Sequence, residues 1–128
     1  MPKGDGIQTQ ISVGGDKEYK QALKDISRQL TVLNSDMQAS QSAFGDNATS
    51  MDALKSKLQG LKSIYDVQKN KVEVLSGKLQ QLEESGRGNS TEADNLRIAL
   101  NKATTQMNKT GTEIARTEGN ISTLSEAE

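Results

Sequence analysis

Between Met51 and Leu82 the apolar residues recur at alternating intervals of three and four. They are Met51, Leu54, Leu58, Leu61, Tyr65, Val72, Leu75, Leu79 and Leu82, with Gln68 the one polar member. That spacing gathers them into a single narrow stripe along an α-helix, and such a stripe is covered by a partner helix. Ahead of it Thr49 and Asp52 fit a capping box. Beyond it Ser85-Gly86-Arg87-Gly88-Asn89 reads as a helix stop. The expectation is an all-α chain of extended heptad-repeat helices that complete one another in coiled-coil or helical-hairpin packing.

Two further helices carry the same spacing. The first, over 16–44, opens on Asp16, a residue type suited to an N-cap. It places Tyr19, Leu23, Ile26, Leu30, Leu33 and Met37 in register, with Phe44 seven residues beyond Met37. A polar link at 45–50 follows, then the central helix over 51–84 and a turn at 85–90. The third helix, over 91–125, starts with Thr91 and Asp94 in another capping pattern. Its stripe is Ala93, Leu96, Leu100, Ala103, Met107, Thr110, Ile114, Thr117, Ile121 and Leu124, thinner than the second helix's. Gly111 and Gly119 each cost about 1 kcal/mol against Ala in a helix interior, so the last two turns are expected to fray. In the preceding arm, 1–15, Ile7, Thr9, Ile11 and Val13 alternate with Gln8, Gln10 and Ser12, a strand pattern over 7–13 ended by Gly14-Gly15. A lone strand does not stand in water. This one pairs with a copy of itself, pairs with another protein, or stays unformed as an arm.

The heptad frame runs from Tyr19 to Leu124 without a net shift, across both breaks. Ser40, Asn47, Gly86 and Asn89 are its polar or Gly entries at those breaks. Loops between packed helices have no reason to keep register, although chance preserves it roughly once in seven for each loop. The frame therefore permits a second state, a nearly continuous helix of roughly 160 Å at 1.5 Å per residue.

Charge patterning selects between pairings. With Leu23 at position a and Tyr19 at d, the flanking e and g positions of the second helix hold Lys55, Lys57, Lys62, Lys69, Lys71 and Lys78, against Glu83 as the only acid. The third helix carries Glu92, Glu113 and Glu118 there, with Arg97 the exception. A parallel pair of second helices would set Lys against Lys. Folding the second and third helices antiparallel about Gly86 sets Lys78 against Glu92, Lys57 against Glu113 and Lys55 against Glu118, all centred on Ser85 to Arg87. Exposed pairs contribute a few tenths of a kcal/mol each, so they choose geometry more than they stabilise it. The bland alternative is a Lys-rich solvated face.

Composition removes most chemistry from consideration. Cys and His are absent, so there is no disulfide framework, thiolate nucleophile or imidazole base or ligand. One Phe, two Tyr and no Trp leave Leu, Ile, Val and Met to supply the apolar contact. Gly86-Arg87-Gly88 follows a helix and lacks the spacing of a phosphate loop. With a net charge of −1 and no aromatic stacking platform, the lysines do not make a specific nucleic-acid site. No run approaches the roughly 20 apolar residues of a membrane span, and the N-terminus lacks a signal peptide's apolar core. A chain without enzyme activity, cofactor or small-molecule substrate is expected, one that self-associates in the cytosol.

The opening Ile7-Gln-Thr-Gln-Ile-Ser-Val-Gly-Gly-Asp16, running into Tyr19-Lys-Gln-Ala-Leu-Lys-Asp-Ile26 and then Leu33-Asn-Ser-Asp-Met37, resembles the start of tail tape measure proteins from long-tailed phages and prophages of Gram-positive bacteria. The link Phe44-Gly-Asp-Asn-Ala-Thr-Ser-Met51 and the helix start Asp94-Asn-Leu-Arg-Ile-Ala-Leu100 share that resemblance. It implies a mostly helical ruler in the lumen of the tail tube, whose length sets the number of tube rings. It also implies tail tube and tail assembly chaperone proteins as partners, and residence in the host cytoplasm during assembly and in the virion tail afterwards. Full tape measures are far longer, and many carry membrane-active or cell-wall hydrolase segments. Neither kind of segment occurs here, so the resemblance implies an N-terminal fragment and nothing about ejection or lysis. The rival expectation is a stand-alone cytosolic coiled-coil adaptor whose Lys-rich middle helix docks an acidic partner helix.

Overall fold

A computed structural model describes residues 16–127. The arm at 1–15 and the strand expected at 7–13 lie outside the described residues. Three α-helices, α1 (Asp16–Phe44), α2 (Met51–Glu84) and α3 (Thr91–Ala127), account for almost all of the described chain, and a single 3-10 turn at Gly45–Asn47 follows α1. The described fold is all-α, with no strand among the described residues. At 1.5 Å per residue the helices are roughly 44, 51 and 56 Å long.

Both turns are set by local chemistry. Ser85 closes α2, and Gly86 follows at φ +82°, a left-handed conformation that costs glycine nothing. The Arg87 N–H then donates to Leu82 O at 2.8 Å and the Gly86 N–H to Glu83 O at 3.1 Å. This is the paired bonding of a Schellman end, which satisfies carbonyls the helix leaves open. Gly45, also at positive φ (+51°), opens the 3-10 turn that follows α1. α2 and α3 start at the expected Met51 and Thr91, but each is capped one residue away from the expected cap. Ser50 caps α2, accepting from the Ala53 N–H at 3.2 Å, and Ser90 accepts from the Ala93 N–H at 3.1 Å. Thr49 and Thr91 do not cap: Thr49 belongs to the preceding turn, and Thr91 is already helical.

α2 is the middle of the fold. α1 and α3 each run antiparallel to it and pack along it, while touching one another little. The largest buried cluster joins Leu75 and Leu82 of α2 to Ala93, Leu96 and Ala103 of α3, with Val72, Leu79 and Leu100 against it. Leu against Ala lets the two helices approach closely around the turn. Tyr19 and Leu23 of α1 seal the same end. The distal end of α3 does not stop at 125 but stays helical to Ala127. Thr117 is only 1% exposed, and Asn120, Leu124 and Ala127 lie beside Thr49 and Leu54, so packing offsets the low propensity of the two glycines. Gly111 itself sits against the Tyr65 ring, where an added Cβ would lie 3.4 Å from Cε1.

Candidate interaction site

The residues that chemistry singles out are the two faces of α2 and the charges beside them. Of the expected seam residues, Ile26, Leu54, Leu61, Leu75, Leu82 and Leu96 are buried. Leu23, Leu30, Leu33, Met37, Met51, Leu58, Tyr65, Val72, Leu79, Leu100, Met107, Ile114 and Ile121 are half-buried, and none of the set is fully exposed. Gln68, the polar member of the α2 stripe, carries a buried Oε1 without a hydrogen-bond partner among the described residues.

The pairing charges divide. Lys57 and Glu113 meet at 3.6 Å. Glu118 faces Lys62 at 3.8 Å, not Lys55, which lies one heptad nearer the start of α2. In an antiparallel pair the e positions are displaced from the g positions relative to the core, so a turn centre that suits the g pairs misassigns the e pair by a heptad. The two exceptions to the charge pattern meet each other, Arg97 lying 3.5 Å from Glu83. Arg97 also donates to Gly88 O at 2.7 Å and pairs with Asp94 at 2.9 Å, tying the turn to the start of α3.

Lys78 is the largest departure. Its expected partner was Glu92, yet its ammonium donates to Asp16 Oδ1 at 2.6 Å and to Gln81 Oε1 at 3.2 Å, and it sits 5.5 Å from the centre of the Tyr19 ring. The side chain is 4% exposed while that of Asp16 is 73% exposed. A buried ammonium needs a countercharge, and the first turn of α1 supplies one that the α2–α3 comparison could not include. Asp16 is thus a helix-start carboxylate committed to another helix. The hydrogen bond from Lys78 and the charge behind it hold its carboxyl below the usual carboxylate range. Burial, and then the Glu92 charge, push the Tyr19 phenol above its ordinary value.

This contact belongs to a second face of α2 that the heptad count does not show. Ala53, Ile64 and Val74 are buried although they lie off the stripe. Ala53 and Val74 lie on the α1 side, where Met37 packs over Gly60 so closely that an added Cβ would lie 3.2 Å from Met37 Cγ. Ser40 and Ser56 share a 2.7 Å hydroxyl hydrogen bond, and Gln41 Nε2 donates to Ala53 O at 3.3 Å. A signal was present: Ala53, Gly60, Val67 and Val74 recur every seven residues. Small and β-branched residues at that interval mark a line where a second helix can lie close.

α1 and α3 leave a groove between them, floored by α2. Tyr19, Leu23, Leu75, Leu96 and Ala99 give it an apolar lining, with Glu92 and Lys102 at its lip. Among the described residues no group of acidic side chains is arranged to hold a metal ion, and no helix is long and apolar enough to cross a membrane. No family model, curated protein or solved structure matches the chain.

Proposed function

We propose that this chain is a structural segment of a tail tape measure protein, a helical ruler and scaffold around which a phage tail tube is assembled. The observation that carries the reading is the single heptad frame from Tyr19 to Leu124, held across two turns that each contain one glycine of positive φ. In this reading α2 and α3 form an antiparallel coiled-coil pair with α1 laid on its second face. The folded bundle is the stored form, and the nearly continuous helix is the form in the tube. Bringing both links to helical geometry, the positive-φ Gly45 and Gly86 and the extended Ser50 included, would join the three stripes in one register. A helix advances a fixed 1.5 Å per residue, so residue count becomes length.

The test is deletion of whole heptads within α2 in the phage or prophage that encodes the chain. Each heptad removed shortens the tail by roughly 10 Å in the ruler reading, so a deletion of several heptads is measurable by electron microscopy. Tails of unchanged length, with the shortened chain still incorporated, contradict it. Distances in assembled tails that still placed positions 57 and 113 side by side would contradict the extended form.

A further inference from the structure

We infer that the groove between α1 and α3 is the seat of a second copy of this chain, docked about a two-fold axis. The inference stands apart from the ruler reading and holds for a cytosolic adaptor as well. Two observations carry it. The first is that, among the described residues, α2 packs on both neighbours while α1 and α3 scarcely meet, leaving a channel between them that half-buried Leu23 and Ala99 help to line. The second is the order of charge along its lip. Glu92 lies near the turn and Lys102 farther along α3, and neither is in an ion pair with another described residue.

A surface with an acid at one end and a base at the other is complementary to itself when turned through a two-fold axis. Interfaces of that kind are isologous: residue i meets j, and j meets i. An antiparallel crossing of α3 on its own copy, centred between Asn95 and Ala99, places each Glu92 against the other copy's Lys102. Asn95 and Ala99 then meet at the axis, where Ala99 lets the backbones approach. The four helices around the axis would enclose the half-buried Leu23 and Ala99 of both copies, adding apolar cover over residues that one copy leaves partly exposed. A foreign acidic helix fits this lip less well, because Glu92 would repel it at one end.

The experiment is sedimentation equilibrium of the full chain across a concentration series, with four variants. The wild type is expected to approach twice 13.8 kDa. Glu92→Lys and Lys102→Glu should each raise the dissociation constant about tenfold, because like charges then face one another twice. The double reversal in one chain restores opposite charges at both contacts and should return the constant to near the wild-type value. Ala99→Arg should leave a folded, helical monomer. A wild-type monomer throughout the series overturns the proposal, as does a trimer. So does a dimer that ignores all four changes, which would place the contact elsewhere. A chain that dimerises only once residues 1–15 are removed would assign the groove to the chain's own arm and overturn it too.

Discussion

α2 meets its two neighbours by different chemistry. Towards α3 it presents Leu75 and Leu82, both buried against alanines, with ion pairs along the margins. Towards α1 it presents small and β-branched residues, and α1 answers with a stripe of which only Ile26 is buried. Much of that second seam is polar: Ser40 on Ser56, Gln41 on a backbone carbonyl, Asp16 on Lys78. Apolar burial stabilises in proportion to area, while polar contacts mostly exchange one hydrogen bond for another. The difference teaches that α2–α3 is the stable unit and α1 a helix held on it more weakly. Helices released first in function are drawn from such weakly buried elements.

The comparison predicts its own largest asymmetry. Leu75→Ala, at the centre of the buried cluster, should cost about 2–5 kcal/mol. Leu33→Ala, on the half-buried face of α1, should cost about 1 kcal/mol or less. Equal losses in denaturant titrations would remove the distinction between the seams. Gly86→Ala comes next, at about 1–2 kcal/mol, because the Schellman end requires a left-handed residue. It should weaken the α2–α3 pair and bias the chain towards a continuous helix, seen as a larger hydrodynamic radius at unchanged helical content.

Asp16 sharpens the comparison on the α1 side. Its carboxyl is depressed in the folded chain, so its contribution is present above the unfolded value of about 4. That contribution is lost as pH falls through the lower folded value. Amide exchange over Tyr19 to Ile26 should therefore quicken below about pH 4, and in Asp16→Asn at neutral pH, with α3 unchanged beyond its intrinsic pH dependence. Protection lost evenly over all three helices would mean that α1 and the α2–α3 pair unfold as one. The smallest effect belongs to Lys57 and Glu113, whose side chains are each more than a third exposed. A double-mutant cycle should return a few tenths of a kcal/mol, falling further in salt. A coupling above about 1 kcal/mol would make that pair a source of stability and not only of register.

The part of this fold that could be read in the sequence is the part built on one period. Leu54, Leu61, Leu75, Leu82 and Leu96 stand at heptad intervals and are buried, because a large apolar residue at helical spacing has few alternatives to a partner helix. The second face of α2 is harder to read because Ala53 and Gly60 serve a close helix contact by being small and carry little hydropathic signal, leaving Val67 and Val74 as the only strongly apolar residues on that line. Lys78 departs from its charge pattern for a related reason. Its charge fits a flanking position on the α3 side, and only the arrival of α1 makes Asp16 the nearer partner. The Lys62–Glu118 contact shows a third limit: pairing by charge finds the sign of a partner more easily than its heptad. Ser50 and Ser90 displaced Thr49 and Thr91 as caps because both pairs of neighbours suit the role, and the backbone of the preceding turn decides between them.

The chain has no cysteine, so Lys57→Cys with Glu113→Cys admits spin labels at those two positions and nowhere else. The distance between them is the most direct test of the antiparallel α2–α3 pair. Packed helices lie about 8–10 Å apart, and the account predicts a label separation of about 20 Å or less in the free chain. A separation of roughly 80 Å, the length of one helix running from 57 to 113, would contradict it.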